Sequence, residues 1–102
     1  MPACTSLADL REMRPNFYTR LFLVGKNIGD AEAVEVAQLL RGNTSITGVG
    51  LQNNNIGATG AAALGEAFKV NTTITRVDLS DNNITRLPAA LAQNRTITSF
   101  YY

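Results

Sequence analysis

The chain has 102 residues, of which 45% are hydrophobic and 17% charged, and this size suits one domain. A formal net charge of +1 and a pI near 7.9 exclude the strongly basic surface that binds nucleic acid or an anionic membrane. Histidine is missing and Cys4 is the single cysteine, so a histidine catalyst, a histidine metal ligand and an intrachain disulfide are excluded.

The N-terminal segment lacks the basic region and apolar stretch of a secretory signal. Within it, residues 5–14 predict a helix that Ser6 caps and Pro15 ends. The apolar side of this helix is formed by Leu7, Leu10 and Met13. No apolar run approaches the length of a membrane span. Together with the lone cysteine, these features predict a cytoplasmic protein without a membrane partner.

From residue 18 onward, the sequence repeats itself about every 28 residues. Leu23 recurs as Leu51 and Leu79, and other positions recur in the same register. The shared frame is apolar-x-x-apolar-x-Leu-x-x-Asn-x-Ile. It comprises Ile46, Val49, Leu51, Asn54 and Ile56 in the second unit, and Ile74, Val77, Leu79, Asn82 and Ile84 in the third.

This frame resembles the signature of leucine-rich repeats, L-x-x-L-x-L-x-x-N-x-L, over residues 18–102. The resemblance implies an α/β fold: a right-handed solenoid with a parallel concave sheet, convex helices and an N-terminal capping helix. Residues 1–16 would form the cap, and 17–45, 46–73 and 74–96 the repeats. Residues 97–102 would begin an incomplete fourth repeat.

Between the strands, apolar residues follow the i, i+3, i+4, i+7 spacing of a helix. Ala33, Val36, Ala37 and Leu40 show it in the first unit, where Asp30 is a candidate N-cap. A repeat of about 28 residues that contains one strand and one helix resembles the ribonuclease-inhibitor-like subtype of leucine-rich repeats. The third unit is shorter, at about 23 residues, and resembles a shorter subtype in which Pro88 starts a brief helix or 3₁₀ turn.

We predict a different structural role for each of the three consecutive asparagines at residues 53–55. In the family, the side chain at the position of Asn54 and Asn82 points inward and bonds backbone groups of neighbouring turns, so we expect an asparagine ladder there. Asn55 and its equivalents are predicted to adopt left-handed turn backbone, and Asn53 to be exposed. The first unit has Lys26 at the ladder position; either the ladder ends there or Lys26 turns outward.

The side chains between the frame residues of each strand should form the concave surface, because alternate strand residues face opposite sides. The family commonly binds proteins on this face. The predicted contact residues are Arg20, Phe22, Gln52, Arg76, Asp78 and Tyr101. Gly50 should leave a shallow notch among them. The alternative is that the N-terminal segment covers Phe22 and Val24, and that Tyr101 packs at the end of the array.

The C-terminal stretch "ITSFYY" starts a repeat without a helix or a polar cap. Its strand edge would expose Phe100 and Tyr102, so either the chain is a fragment of a longer array or a second copy covers this end.

Catalytic chemistry has little support in the sequence. Asp78 and Asp81 flank Leu79, but no third oxygen ligand for a cation is evident, and we expect no metal and no cofactor. Four Asn-x-Ser/Thr sequons, at Asn43, Asn71, Asn83 and Asn94, follow from the repeat and are expected to be silent.

Three functional hypotheses remain. The first is a non-catalytic protein-binding module or scaffold that uses the concave face. The second is a self-associating unit that forms a homodimer through its C-terminal strand. An enzyme of unknown type is the third and is disfavoured.

Overall fold

The computed structural model describes residues 3–12, 17–94 and 96–102, with the backbone alone at positions 92 and 93. The strands are β1 (Ala3–Cys4), β2 (Arg20–Phe22), β3 (Gly48–Gly50), β4 (Arg76–Asp78) and β5 (Ser99–Tyr101). The helices are α1 (Leu7–Glu12), α2 (Asp30–Arg41) and α3 (Ala58–Val70), and a 3₁₀ helix covers Ala89–Gln93.

All five strands form one parallel sheet in chain order. Parallel neighbours need a crossover connection, and α2, α3 and the 3₁₀ helix supply it between β2 and β5. Two rows of residues cross the sheet at right angles to the strands. The first row is Arg20, Gly48, Arg76 and Ser99, and the second row is Phe22, Gly50, Asp78 and Tyr101. The predicted α/β fold with a parallel sheet is confirmed.

The core lies between the sheet and the helices. The strands contribute the frame residues, which stack on their equivalents in the next repeat, and the helices contribute their apolar stripes. Fully buried members include Leu21, Leu51 and Val77 from the sheet side and Val36, Leu40, Leu64 and Phe68 from the helices. Each such side chain contributes about 1.5–3 kcal/mol to folding by leaving water.

Asp30 does not cap its own helix, and the prediction that it would was wrong. The N-cap of α2 is Gly29, and Asp30 is the first helical residue. Its carboxylate Oδ1 accepts hydrogen bonds from the backbone N–H groups of Gly57 (2.7 Å) and Gly60 (2.9 Å), at the start of α3. Asp30 therefore caps the helix of the following repeat, where the N-cap residue Gly57 offers no side-chain oxygen of its own.

The N-terminal segment contains one element that the sequence analysis missed. β1 pairs with β2 through Ala3 and Cys4, and the Cys4 side chain is buried in the core. This burial raises the pKa of the Cys4 thiol. The predicted helix is present as α1, and the Ser6 hydroxyl oxygen accepts a hydrogen bond from the Asp9 N–H (3.0 Å). The predicted roles of Met13 and Pro15 lie outside the described residues.

One ion pair ties α1 to α2. The Arg11 guanidinium donates to both carboxylate oxygens of Glu35, at 2.6 and 2.9 Å. These hydrogen bonds lower the pKa of Glu35 below its ordinary value of 4.5. Because this pKa is depressed in the folded state, the stabilisation by the pair is present above the unfolded-state pKa and is lost as the pH falls through the folded-state value.

Arg11→Gln should therefore lower the unfolding free energy at about pH 7, and the difference from the wild type should vanish in acid, where Glu35 is protonated. Urea unfolding of both proteins across this pH range measures the difference. Arg41→Gln is the control, because Arg41 is exposed and forms no ion pair within the described chain. A destabilisation by Arg11→Gln that stays constant with pH would contradict the assignment.

Candidate functional site

The side chain of Asn54 joins two successive repeats. Its Nδ2 donates to the carbonyl oxygens of Leu23 (2.7 Å) and Leu51 (3.0 Å), and its Oδ1 accepts from the N–H groups of Lys26 (2.9 Å) and Ile28 (3.0 Å). Asn82 repeats this pattern one repeat later, with bonds to the Leu51 and Leu79 oxygens and the Ile56 N–H. Both amides thus satisfy backbone groups that would otherwise lack partners inside the turn. Lys26 itself is exposed and turns outward.

A second series of asparagines, which the sequence analysis treated only as sequons, lies where each helix leads into the next strand. Asn71 is 3% exposed; its Nδ2 donates to the oxygens of Leu40 and Asn43, and its Oδ1 accepts from the N–H groups of Thr73 and Ile74. The Oδ1 atoms of Asn43 and Asn94 accept equivalent bonds. The signal was present in the sequence: Asn-x-Ser/Thr-Ile occurs at residues 43–46, 71–74 and 94–97.

Of Asn55 and its equivalents Asn27 and Asn83, only Asn27 has the predicted left-handed backbone (φ 55°), and the prediction was wrong at Asn55 and Asn83. Positive φ angles also occur at an earlier turn position, at Gly25 (62°), Asn53 (59°) and Asp81 (57°). Gly25, Asn53 and Asp81 are equivalent positions of the repeat, and all are residue types that tolerate this conformation. Asn53 is exposed as predicted, but its role is to turn the chain out of the strand.

The concave face contains a polar cavity of about 530 Å³. Five of the six predicted contact residues line it, namely Arg20, Phe22, Gln52, Arg76 and Asp78. Tyr101 is not part of this lining; its side chain is 50% exposed in the row that also holds Asp78. Phe22 remains 39% exposed and Val24 40%, so the described N-terminal residues do not cover them.

The notch on this face lies at Gly48 and not at Gly50, where the sequence had placed it. A Cβ on Gly50 would lie 2.9 Å from Gln52 Oε1 and 3.0 Å from Phe22 Cδ1, because these two side chains lean over the glycine and bury it. A Cβ on Gly48 would meet no atom within 4 Å. Gln52 Oε1 is buried and has no hydrogen-bond partner within the described chain.

The charges around the cavity are arranged unevenly. Asp78 Oδ1 accepts hydrogen bonds from the N–H (2.9 Å) and the hydroxyl (2.6 Å) of Ser80, which hold this carboxylate beside its own strand. Arg20 and Arg76 are exposed, and neither forms an ion pair with any residue that the structure describes. The cavity therefore presents two guanidinium groups that have no ion-pair partner in the described chain, together with the Asp78 carboxylate.

The C-terminal end of the solenoid forms a second, apolar cleft of about 560 Å³. It is lined by Leu87, Pro88, Ala89, Leu91, Asn94, Ile97, Phe100 and Tyr102. Phe100 is half-buried, whereas Tyr102 is 59% exposed, and their ring centroids lie 6.2 Å apart. Within the described chain β5 pairs with β4 alone, so the other edge of β5 is open.

The described residues contain no cluster of histidine, cysteine or acidic side chains that could hold a metal ion. None of their helices has both the length and the apolar character that crossing a bilayer requires.

Comparisons with known proteins agree with this architecture. The chain matches the family described as "Leucine Rich repeat" over residues 42–65 and 70–86. It is similar to a solved structure titled "Leiomodin-1 Actin-Binding Site 2 (ABS2)", with a TM-score of 0.73 and 23% sequence identity. That match covers 85% of this chain and 55% of the other, so this chain spans about half the length of that structure. No match was found among curated proteins. The fold is that of a leucine-rich-repeat solenoid.

Proposed function

We propose that the protein is a non-catalytic interaction module that binds another protein through its concave face. The observation that carries the proposal is the cavity of about 530 Å³, which gathers Arg20, Phe22, Gln52, Arg76 and Asp78 on one side of the sheet. Arginine and aromatic side chains contribute most to binding hot spots. The paired strands hold their backbones in fixed register, so little backbone entropy is lost when a partner binds.

Actin is the first partner to test, because the structural neighbour is titled an actin-binding site. We expect purified chain to bind monomeric or filamentous actin, and Phe22→Ala or Arg76→Glu to raise the Kd about tenfold or more. Both residues are exposed, so circular dichroism should show an unchanged fold. Biolayer interferometry and co-sedimentation measure binding to the two forms of actin.

Two control variants make the same kinds of chemical change away from the concave face. Lys69→Glu reverses one charge on α3, and Val70→Ala shortens an apolar side chain that is 48% exposed. Neither should alter the Kd. Equal losses in the control and concave-face variants would overturn the assignment of the face, and no binding to either form would reject actin as the partner.

A second function is self-association, which the cleft at the C-terminal end favours. The open edge of β5 and the exposed Tyr102 would meet the same surface of a second copy across a two-fold axis. Two such copies would form a continuous sheet in which the two β5 strands run antiparallel, and would remove both apolar clefts from water.

We expect light scattering to report twice the 11.0 kDa of one chain at high concentration. Tyr102→Lys should return the mass to that of a monomer, because a charge cannot enter the apolar interface without a partner. Val70→Lys is the control, since it places the same charge at an exposed apolar position on α3. A wild-type monomer throughout the concentration range would overturn the homodimer.

The subtype of the repeats and the boundaries of the repeats and the cap are also proposals. Equivalent threonines lie just before the paired strands. From β2 to β3 and from β3 to β4 they are 28 positions apart (Thr19, Thr47 and Thr75), and from β4 to β5 they are 23 positions apart (Thr75 and Thr98). The long helices α2 and α3 accompany the first two steps and the 3₁₀ helix the last. This supports ribonuclease-inhibitor-like repeats at 17–45 and 46–73, a shorter one at 74–96, a cap at 1–16 and a partial repeat at 97–102.

An intracellular location is proposed on the chemistry of two buried groups. The Asn71 amide, part of a sequon, donates to two backbone oxygens, so a glycan on this nitrogen would break at least one of these hydrogen bonds. The Cys4 thiol is buried and free, which suits a reducing compartment.

A further inference from the structure

The first row of the concave sheet has an unusual composition. It places Arg20, Gly48 and Arg76 side by side on three neighbouring strands. Strands lie about 4.8 Å apart, so the two arginines stand roughly 10 Å apart on either side of a glycine. A Cβ on Gly48 would meet nothing within 4 Å, so the floor between the arginines is open to an incoming group.

The charge of this row is positive, and the row contains no acidic residue. Ser99 continues the row beyond Arg76 and adds no charge. The carboxylate of the cavity, Asp78, belongs to the second row and is held by Ser80. Neither arginine has an ion pair within the described parts of the chain. A group that enters above Gly48 therefore meets two guanidinium groups, which bind carboxylates through parallel N–H donors.

Two side chains beyond the first row, those of Phe22 and Gln52, add an apolar contact and a hydrogen-bond acceptor. Phe22 lies two residues beyond Arg20 on the same strand, about 6.6 Å further along, and is 39% exposed. Gln52 Oε1 lies beside Phe22 over Gly50 and is buried without a partner in the described chain. A buried acceptor without a donor is costly, so a ligand that displaces the Gln52 side chain from above Gly50 and supplies it with an N–H or O–H would gain affinity.

We propose that the concave face recognises an acidic segment of its protein partner. One carboxylate enters between Arg20 and Arg76 above Gly48, and a neighbouring apolar side chain lies against Phe22. This inference rests on the proposed function and specifies the chemistry of the partner. Charge complementarity supports it: the first row carries positive charge alone, although the chain as a whole is nearly neutral at +1.

The test uses a fluorescein-labelled deca-glutamate peptide, with deca-glutamine as the neutral probe, and measures fluorescence anisotropy. We expect deca-glutamate to bind in preference to deca-glutamine, and to bind more weakly as ionic strength rises. Arg20→Gln with Arg76→Gln should raise the Kd about tenfold or more. The matched control, Arg41→Gln with Arg86→Gln, removes the same total charge from exposed positions and should leave the Kd unchanged.

A second variant closes the floor of the site and leaves the charges in place. Gly48→Val has free space for its Cβ, and valine suits a strand, so the melting temperature should be maintained or raised. The same variant should weaken deca-glutamate binding, because the carboxylate can no longer descend between the arginines. Backbone amide shifts from NMR titration of the wild type should be largest at Gly48 and its strand neighbours.

The outcomes separate this inference from the proposed function. Equal weakening by the two double variants, no preference for deca-glutamate over deca-glutamine, or normal binding by Gly48→Val would overturn the acidic-segment site. If Phe22→Ala still weakens binding to actin while the Arg20→Gln with Arg76→Gln variant binds actin normally, the concave face binds protein through apolar contacts and the acidic specificity is wrong.

Discussion

Asn71→Asp should destabilise the protein by about 3 kcal/mol or more, although it exchanges one NH₂ group for an oxygen. The amide of Asn71 is 3% exposed and its hydrogen-bonding groups are all used. In the variant, a carboxylate oxygen would face the carbonyl oxygens of Leu40 and Asn43 at 2.8 and 3.0 Å, where the wild type has a donor. Both carbonyls lose the hydrogen bond from this amide, and a charge is buried without a counter-ion.

The pH dependence of this variant distinguishes charge burial from a general packing defect. Burial beside two carbonyl oxygens raises the folded-state pKa of the introduced carboxyl group. Its protonated form can still donate one hydrogen bond, so the destabilisation should be smaller in acid and grow as the pH rises through the unfolded-state pKa, about 3.9. Urea unfolding at several pH values measures this trend.

Asn83→Asp is the matched control, because Asn83 also belongs to a sequon but is exposed. Its Nδ2 donates to Asn55 Oδ1 at the protein surface, and the change should cost within about 0.5 kcal/mol. Similar losses for the two variants, or a loss at Asn71 that does not depend on pH, would contradict the role assigned to the second asparagine series.

The asparagines also show how far the sequence determines the fold. The repeat period located Asn54 and Asn82, because a polar residue that recurs inside an apolar frame needs a buried hydrogen-bonding role. The same argument applies to Asn43 and Asn71, but they were considered as modification sites because they belong to sequons, and their hydrogen-bonding role was not predicted. Periodicity therefore predicts which residues are equivalent, whereas their hydrogen-bond partners depend on how the turns stack.

The concave face could be predicted as a set of residues but not as a shape. Alternation along the strands placed Arg20, Phe22, Arg76 and Asp78 on one side of the sheet, and they do line one cavity. The position of the notch could not be inferred, because Gly48 and Gly50 look alike in the sequence. It depends on the Gln52 and Phe22 side chains, which lean over Gly50 and leave Gly48 open.

The N-terminal segment was predicted least well, because its strand was missed. β1 consists of Ala3 and Cys4 only, which is too short to show alternation, and it forms by pairing with β2.

Asp30 was assigned to the wrong helix because the prediction considered only its own helix. The residue has a typical N-cap side chain, but its carboxylate caps the helix of the next repeat, at Gly57. Contacts between repeats therefore override local preference at both places.

Gly60→Ala should lower the unfolding free energy by about 1–3 kcal/mol, which is opposite in sign to the helix propensities of the two residues. Gly60 is buried near the start of α3, where α3 approaches α2 closely. A Cβ there would lie 2.8 Å from Asp30 Oδ1, 2.9 Å from Ala33 Cβ and 2.9 Å from Ile56 Cγ2. Ala33 and Ile56 are fully buried and cannot move aside, so the helices must separate and weaken the Asp30 cap.

Gly48→Ala provides the control for this prediction, because the added methyl group meets no atom within 4 Å and should be neutral or stabilising by about 0.5–1 kcal/mol. A double-mutant cycle then tests the cause. Ala33→Gly removes one of the atoms that Gly60→Ala would strike, so the two changes together should cost less than the sum of the single changes. Urea unfolding of the four proteins measures the coupling energy. Strict additivity would show that the contact with Ala33 is not the cause of the loss. A Gly60→Ala variant as stable as the wild type would show that the two helices can separate without loss, and that close packing of α2 against α3 does not limit the stability of the array.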